Sequence, residues 1–343
     1  MISVLNKKYQ KNQVLSSLNF IKQSDQVFSA SLSQRDIDNF KFTDIKIIEK
    51  NNELITFINL NFNLKENDII YSHADFVESL FDILKKLKFQ NIKVITSQSD
   101  RKITKSLFHK KPKCVSSWYA TNVTYNTDSL IPIPLGVAPY RNSKSAIIED
   151  FIDLDHHQTK QKFMYFNFNL NTNYFHRIKT VNSTQKIFNI KPIEDKNYKD
   201  YLVSLGSYKF SLSPWGNGID THRFWEALYC ETIPITKSHY IYKTFEGLPM
   251  VLLPSYKRLT NLKKDIRFNQ FNLEKLDINW WIKQINQIKV EPLVEETRIN
   301  ISDNTLINIQ KNFYKLRTEI SRKKRILTFL RKIHQKISIL HKI

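Results

Sequence analysis

Short apolar runs alternate with amphipathic segments along most of this 343-residue chain, and this alternation limits the possible folds more than any other feature. The runs at 68–71, 92–96 and 131–135 have the length of buried strands, and a helical segment at 75–87 separates the first two. Adjacent parallel strands need a crossover of this kind, which is usually a helix. The first part of the chain is therefore predicted to form βαβ units in a parallel sheet.

The alternation stops in one polar stretch and then begins again. Residues 140–160 contain few apolar side chains, whereas strand-like runs return at 163–166 and 208–212. We interpret the polar stretch as the junction between two Rossmann-like domains, one over 1–145 and one over 158–300. In doubly wound sheets, ligands bind beyond the carboxyl ends of the strands. We therefore expect an α/β protein with a ligand-binding cleft between the two domains.

Residues 301–343 have a helical pattern of a different kind. Apolar side chains recur every three or four residues over 306–320 and again over 326–340, which predicts amphipathic C-terminal helices. Residues 321–343 also carry eight Lys or Arg and no Asp or Glu. Such a helix can lie on an anionic bilayer, pack on the body of the protein or pair with a second copy. The sequence leaves these three alternatives open.

The chain is strongly basic. Its 53 Lys and Arg against 32 Asp and Glu give a formal charge of +21, which favours nucleic acid, phosphorylated substrates or an anionic membrane as partners. The sequence lacks RNA-binding aromatic motifs, helix-turn-helix spacing and zinc-ligand patterns, so nucleic acid is not the expected partner. A non-enzymatic protein that binds nucleic acid or a membrane surface stays as the alternative to an enzyme.

Cysteine content and hydropathy bear on the cellular compartment. Cys114 and Cys230 are too few for a disulfide framework, and no run approaches the roughly 20 apolar residues of a spanning helix. The N-terminus lacks the apolar core of a signal peptide. We expect a cytoplasmic protein; in the membrane alternative for residues 321–343, it would attach peripherally to the cytoplasmic face of a membrane.

The segment 208–235 carries the strongest functional signal. It combines a strand, a loop with two glycines, a capped helix and a second strand. Gly216 and Gly218 permit backbone conformations that other residues resist, so this loop can approach a ligand closely. Asp220 or Thr221 is a suitable N-cap for the helix. A loop of this kind before a helix N-terminus suits a phosphate group.

Two charged side chains follow in register on this helix. Arg223 lies in the first turn, and Glu226 lies one turn later on nearly the same face. Arg223 adds a guanidinium fork for a phosphate, and Glu226 can accept hydrogen bonds from the two hydroxyls of a ribose. The alternative is an ordinary βαβ crossover in which these two residues form a salt bridge.

The same segment resembles the donor site of exostosin-like glycosyltransferases. The pattern F-x-L-x-P-x-G is followed by R-x-x-E-A-L and I-P-I, here at Phe210, Leu212, Pro214, Gly216, Arg223, Glu226, Ala227, Leu228, Ile233, Pro234 and Ile235. The resemblance implies a GT-B type fold, a nucleotide-sugar donor held by the C-terminal domain, and transfer that needs no metal or other cofactor. It also implies that Glu226 holds the ribose and Arg223 the diphosphate.

A second loop is expected to face the same donor. Residues 167–173 are rich in amide side chains, and Arg177 lies one turn into the helix that follows. This loop can offer N–H and amide donors to a diphosphate, or it is an Asn-rich turn of ordinary composition. The predicted donor-binding residues are Asn173, Arg177, Gly216, Asn217, Gly218, Asp220, Thr221, His222, Arg223 and Glu226.

Three residues of the first half are candidates for the base that activates an acceptor hydroxyl. His73 and Asp75 follow one predicted strand, and Asp100 follows the next. A general base must lie within hydrogen-bonding distance of the proton that it removes. Asp75 is equally suited to cap a helix, and Asp100 to pair with Arg101.

Two D-x-D patterns, at 36–38 and 153–155, resemble the metal-binding motif of the other glycosyltransferase fold. Neither follows a convincing strand, and no third ligand is in register, so we predict no metal site. These features together predict a metal-independent glycosyltransferase of surface polysaccharide biosynthesis. Its partners would be a nucleotide-sugar donor and a glycan or lipid-linked acceptor.

Overall fold

The computed structural model describes residues 10–51, 53–141, 145–152, 160–193, 197–262, 265–292 and 296–340. The α-helices are α1 (Ser17–Lys22), α2 (Gln34–Phe40), α3 (Val77–Leu84), α4 (Lys105–Phe108), α5 (Ile148–Ile152), α6 (Tyr174–Phe188), α7 (Tyr198–Gly206), α8 (His222–Tyr229), α9 (Ile278–Ile285) and α10 (Asp303–Leu340). The strands are β1 (Gln26–Ser33), β2 (Ile45–Asn51), β3 (Leu54–Asn59), β4 (Asn61–Leu64), β5 (Ile69–His73), β6 (Ile92–Ser97), β7 (Val115–Ala120), β8 (Leu130–Pro132), β9 (Lys162–Tyr165), β10 (Tyr208–Leu212), β11 (Ile233–Lys237), β12 (Val251–Leu253) and β13 (Thr297–Asn300).

The first half forms a seven-stranded sheet in the order β2-β3-β1-β5-β6-β7-β8. Strands β1, β5, β6, β7 and β8 run parallel, and β2 and β3 add an antiparallel edge. Every residue of β5 and β6 is buried, as expected of strands that are covered on both faces. The predicted parallel sheet is confirmed, although the last strand ends at Pro132 rather than at residue 135.

The second half forms a four-stranded sheet in the order β12-β11-β10-β9, and all of its strands are parallel. Helices α6 and α7 connect β9 to β10, and α8 connects β10 to β11. The protein is therefore an α/β protein with one mostly parallel sheet and one fully parallel sheet, as predicted for two Rossmann-like halves. The carboxyl ends of β10 and β11 carry the loops that form the site described below.

The two halves exchange short segments. Strand β13 lies within the predicted second domain, yet it pairs antiparallel with β4 of the first half. In the opposite direction, Val14 forms a bridge with Asp277, and Leu15 N donates to the Tyr229 hydroxyl at 2.8 Å. The two halves are therefore joined by strand pairing and by hydrogen bonds near residues 14, 61–64 and 297–300.

Residues 303–340 form a single helix, α10, whereas the apolar pattern predicts more than one helix. The apolar spacing changes between Ile320 and Ile326, but the Ser, Arg and Lys residues between them include no Gly or Pro that would stop a helix. The inner part of α10 packs on the first half, where the Phe313 ring stacks on Phe76 at 4.7 Å. No helix in the described part of the chain is long and apolar enough to cross a membrane.

Candidate active site

The loop between β10 and α8, residues 213–221, meets the first sheet at the carboxyl ends of its strands; we call it the glycine loop. Asn217 Nδ2 donates to Asp100 Oδ2 at 2.9 Å, and Ile219 N donates to Asn122 Oδ1 at 3.2 Å. Asp100 follows β6, and Asn122 follows β7. The structure therefore brings one of the three predicted bases, Asp100, to the predicted donor loop.

Asn122 explains why residue 218 is a glycine. Its Nδ2 donates to Ser99 O at 3.1 Å, and a Cβ placed on Gly218 would lie 2.1 Å from Asn122 Oδ1. Gly218 is therefore required for the close approach of the two halves, whereas its backbone does not lie in the left-handed region. The sequence reasoning missed Asn122, although it is a polar residue just after a strand, which is the signal that identified Asp100.

Asp100 is exposed, and the residue proposed as its alternative partner is engaged elsewhere. Arg101 forms an ion pair with Glu78 and donates to Ala74 O at 3.2 Å. The expected alternative, a pair between Asp100 and Arg101, is therefore not formed. The Asp100 carboxylate faces solvent next to Asn217, where an acceptor can reach it.

Asn173 and Arg177 hold the glycine loop from the second half. Asn173 Nδ2 donates to Gly216 O at 2.7 Å. Arg177 donates from Nε to Trp215 O at 3.1 Å and from Nη1 to Asn169 O at 2.6 Å. Both predicted residues thus lie at the loop, and these hydrogen bonds position its main chain.

Two cations meet beside this loop. Burial and, after it, the positive charge of Arg223 lower the pKa of Arg177 to about 10. The Arg223 guanidinium lies over the Tyr201 ring, 5.2 Å from the ring centroid. An anion bound between two neighbouring cations favours their charged forms and relieves their repulsion. The electrostatics of the loop therefore suit an anionic ligand.

Two helix N-termini adjoin the same loop. Helix α8 begins directly after it, and α6 begins directly after Asn173. The N-caps, Thr221 and Asn173, make no side-chain capping hydrogen bond. Several of the first N–H groups bond to the N-cap carbonyls instead, and both helix starts carry the partial positive charge of a helix N-terminus. With Arg223 they form a group of donors of the kind that binds phosphate.

Asp220 and His222 join α8 to the first half. Asp220 Oδ2 accepts hydrogen bonds from Leu135 N and from Trp225 Nε1, each at 2.8 Å. His222 Nδ1 donates to Gly136 O at 2.7 Å. Burial raises the pKa of Asp220 to about 7. Both predicted donor-binding residues thus hold the two halves together next to the glycine loop.

The environment of Glu226 differs from the predicted one. The residue is 1% exposed, its Oε2 accepts from the Tyr201 hydroxyl at 2.6 Å, and its Oε1 accepts from Ala146 N at 3.1 Å. Both carboxylate oxygens hold partners within the protein, and the side chain is closed to solvent. The expectation that Glu226 contacts a ribose therefore does not fit this structure. The sequence could not reveal partners that lie 25 and 80 residues away.

His73 and Asp75 are enclosed beneath α10. His73 is 2% exposed, and burial lowers its pKa. Asp75 Oδ1 accepts from Ser99 Oγ at 2.6 Å, and its Oδ2 lies 3.7 Å from Arg317 Nε of α10. Neither side chain is open to an acceptor hydroxyl in this arrangement. The predicted set of three bases is therefore narrowed to Asp100.

Trp215 anchors the glycine loop, and the sequence reasoning did not select it. Its ring stacks parallel on His176 at 5.2 Å, and Lys237 Nζ lies 5.3 Å from its centroid. Burial, with the nearby positive charges of Lys237, Arg177 and Lys179, lowers the pKa of His176 to about 4, so this imidazole is neutral at pH 7. An aromatic residue inside a glycine-containing loop was the available signal.

No three His, Cys, Asp or Glu side chains of the described residues lie close enough to share a metal ion. Asp153 and Asp155 of the second D-x-D pattern fall outside the described residues. The prediction that transfer needs no metal stays a prediction.

Known proteins resemble this chain only weakly. No family model and no curated protein matches the chain. Among solved structures, UDP-GlcNAc 2-epimerase from Methanocaldococcus jannaschii aligns with 63% of this chain and 76% of its own, at 13% identity and a TM-score of 0.26. The two backbones superpose too loosely for any residue role to be transferred.

Proposed function

We propose that this protein is a glycosyltransferase that moves a sugar from a nucleotide-sugar donor to a hydroxyl of a glycan or lipid-linked acceptor. The observation that carries the proposal is the meeting of Asp100 with the glycine loop at the carboxyl ends of two parallel sheets. Ligands of doubly wound folds bind at such edges. The resemblance of segment 208–235 to exostosin-like glycosyltransferases supports the same conclusion, and it suggests a GT-B arrangement.

The phosphates of the donor would bind at the start of α8. The uncapped N–H groups of α8, the nearby start of α6 and the Arg223 guanidinium all present positive charge there. Negative charge grows on the departing nucleoside diphosphate as the bond between phosphate oxygen and anomeric carbon breaks. A well-placed donor typically contributes about 3 kcal/mol to such a transition state. This positive charge would serve in place of a metal ion.

Asp100 would act as the base. Its carboxylate is exposed and is held at 2.9 Å by Asn217, the loop residue between the two glycines. The acceptor hydroxyl would give its proton to Asp100 while its oxygen forms the new bond to the anomeric carbon. Asn173, Arg177 and Asn122 would position the loop, since each bonds to its main chain.

The experiment is a transfer assay with the full chain. The protein is incubated with UDP-, GDP- and CMP-sugars in turn, together with polysaccharide fragments and lipid-linked glycans as acceptors. Mass spectrometry then detects a product heavier by one sugar, and free nucleotide is measured in parallel. We expect one donor class to give product that Asp100→Asn does not form. No product and no nucleotide release with any donor would contradict the proposal.

A further inference from the structure

The outer part of α10, residues 318–340, is mostly exposed. The inner part is fixed by the Phe313–Phe76 stack and the Arg317–Asp75 ion pair. Beyond Thr318 most side chains with a described burial are exposed. Near its end the helix contacts the start of α6, where the His334 ring lies 5.6 Å from the Tyr174 ring and 5.7 Å from the Phe175 ring. We call residues 318–340 the outer helix.

An apolar stripe of the outer helix faces solvent. Ile326, Leu330, Ile333 and Ile337 fall within about 60° of one another at 3.6 residues per turn. They are 53%, 44%, 39% and 48% exposed, and Phe329 beside them is 64% exposed. The packing of this stripe on the body of the protein, one of the three alternatives left by the sequence, is therefore excluded for these side chains. A surface of five contiguous large apolar side chains indicates an interaction site.

The charge of the outer helix selects among the possible partners. The outer helix carries seven cations with described side chains, and residues 320–340 include no Asp or Glu. At 3.6 residues per turn, Arg322, Lys323, Arg325 and Lys336 lie on or beside the stripe, whereas Lys324, Arg331 and Lys332 lie toward the opposite face. Pairing with a second copy would bring two such sets of cations together without any carboxylate between them. Nucleic acid would match the charge but would leave the apolar stripe in water. A surface with acidic headgroups over hydrocarbon matches both features.

We propose that the outer helix lies in the headgroup region of an anionic bilayer, with its apolar stripe inserted and its cations at the surface. The inference needs no transfer chemistry, because it depends only on the exposed stripe and on the charges beside it.

The position of the outer helix also indicates the class of acceptor, and this part rests on the proposed function. His334 contacts Tyr174 and Phe175, the first two residues of α6. The preceding residue, Asn173, donates to Gly216 O of the glycine loop. The outer helix therefore adjoins the loop proposed to bind the donor. A bilayer in contact with this helix would present a lipid-linked acceptor close to that loop. That geometry favours a lipid-linked glycan over a soluble one.

The test is co-sedimentation of the full chain with two kinds of vesicle, without any substrate. One kind contains equal parts of phosphatidylglycerol and phosphatidylcholine, and the other contains phosphatidylcholine alone. We expect binding to the anionic vesicles and at least tenfold weaker binding to the neutral ones, because each cation near the surface contributes about fivefold. High salt should weaken binding to the anionic vesicles.

A double variant and a matched control test the apolar contribution. Phe329→Ser with Ile333→Ser should weaken binding to anionic vesicles by about tenfold or more, since two inserted side chains are lost. The matched control, Thr328→Ser with Gln335→Ser, changes exposed polar residues of the same helix and should bind as the wild type does. Equal melting temperatures and equal nucleotide binding for both variants would show that fold and donor site are intact.

Three outcomes would overturn the proposal. Equal binding to neutral and anionic vesicles would show that the cations do not contribute to binding, and the proposed preference for an anionic bilayer would be wrong. Unchanged vesicle binding by the serine variant, with binding lost only when residues 322–325 become Gln, would indicate a surface for polyanions such as nucleic acid. A serine variant that changes from dimer to monomer and still sediments with vesicles would assign the stripe to a second copy.

Discussion

The side-chain amide of Asn217 donates a 2.9 Å hydrogen bond to the carboxylate of Asp100, and this bond joins the loops at the carboxyl ends of the two parallel sheets. Both side chains are exposed, so the bond lies where a substrate can reach it. It connects a residue expected to remove a proton with a loop expected to hold a leaving group. The proposed chemistry depends on this proximity.

Asp100→Asn should reduce turnover by about 10²- to 10⁴-fold, the usual contribution of a general base. Donor binding should change little, because the donor phosphates are expected to contact Arg223 and the helix N-termini instead. Turnover and the Kd for the donor are measured separately. Asp82→Asn removes an exposed carboxylate that pairs with Lys85 on α3, and it serves as the control. Equal loss in both variants would speak against a base at Asp100.

Glu226→Gln should lower stability and leave donor affinity near normal. This reverses the outcome that a ribose contact would produce, because both oxygens of the buried carboxylate hold partners within the protein. The new amide group would face Ala146 N–H or Tyr201 O–H, so one buried donor loses its acceptor at a cost of about 1–3 kcal/mol. Calorimetry should show a melting temperature several degrees lower, whereas the exposed Glu274→Gln should melt as the wild type does. An unchanged melting temperature with weakened donor binding would restore the ribose role.

The buried carboxyl of Asp220 should make stability depend on pH. Burial raises its pKa to about 7 in the folded protein, while the unfolded chain keeps a value near 3.8. Between these values the folded state holds a proton that the unfolded state has released. The stabilising contribution of Asp220 is therefore full below the lower pKa and is lost as pH rises toward 7.

The measurement for Asp220 is the free energy of unfolding of wild type and of Asp220→Asn at several pH values. The stability of the wild type should fall relative to that of the variant between pH 4 and about 7, since only the wild type has a buried carboxyl that ionises in this range. Asp82→Asn is the reference, because it removes an exposed carboxylate and keeps Asp220. A difference that is constant or grows with pH would show that Asp220 stays ionised in the fold.

Activity should survive chelation with EDTA. In the proposed function, Arg223 and the starts of α6 and α8 would supply the positive charge that a divalent cation gives to phosphates in many transferases. Turnover is measured before and after dialysis against the chelator, and then after addition of Mn²⁺. Complete loss that Mn²⁺ restores would return attention to Asp153 and Asp155.

The local elements could be predicted because their causes are local. Strands such as β5 and β10 are short apolar runs, and α8 begins where the glycine loop meets Asp220 and Thr221. The continuity of α10 was missed because the apolar spacing changes near Ile320. A change of spacing redirects a helical face, whereas ending a helix normally needs Gly, Pro or a cap.

The site was harder to predict because its contacts join distant parts of the chain. The same rule, a polar residue after a strand, selected Asp100, His73 and Asp75, yet only Asp100 meets the glycine loop. The other two are covered by α10, which returns to the first sheet more than 230 residues later in the sequence. The need for Gly218 also depends on a distant residue, Asn122. Periodicity and local motifs contain no information on such packing.

The central claim is that the glycine loop and the start of α8 bind the diphosphate of a nucleotide-sugar. The most direct measurement is calorimetric titration of wild type, Arg223→Ala and Arg298→Ala with UDP, GDP, CMP and their sugars. Arg298 is an exposed arginine on β13 and controls for the loss of a positive charge. We predict saturable binding of one nucleotide class to wild type and to Arg298→Ala, and affinity about tenfold or more weaker for Arg223→Ala, since hydrogen bonds to charged groups contribute about 1.5–3 kcal/mol. Binding of none of these ligands, or equal affinity of Arg223→Ala and wild type, would contradict it.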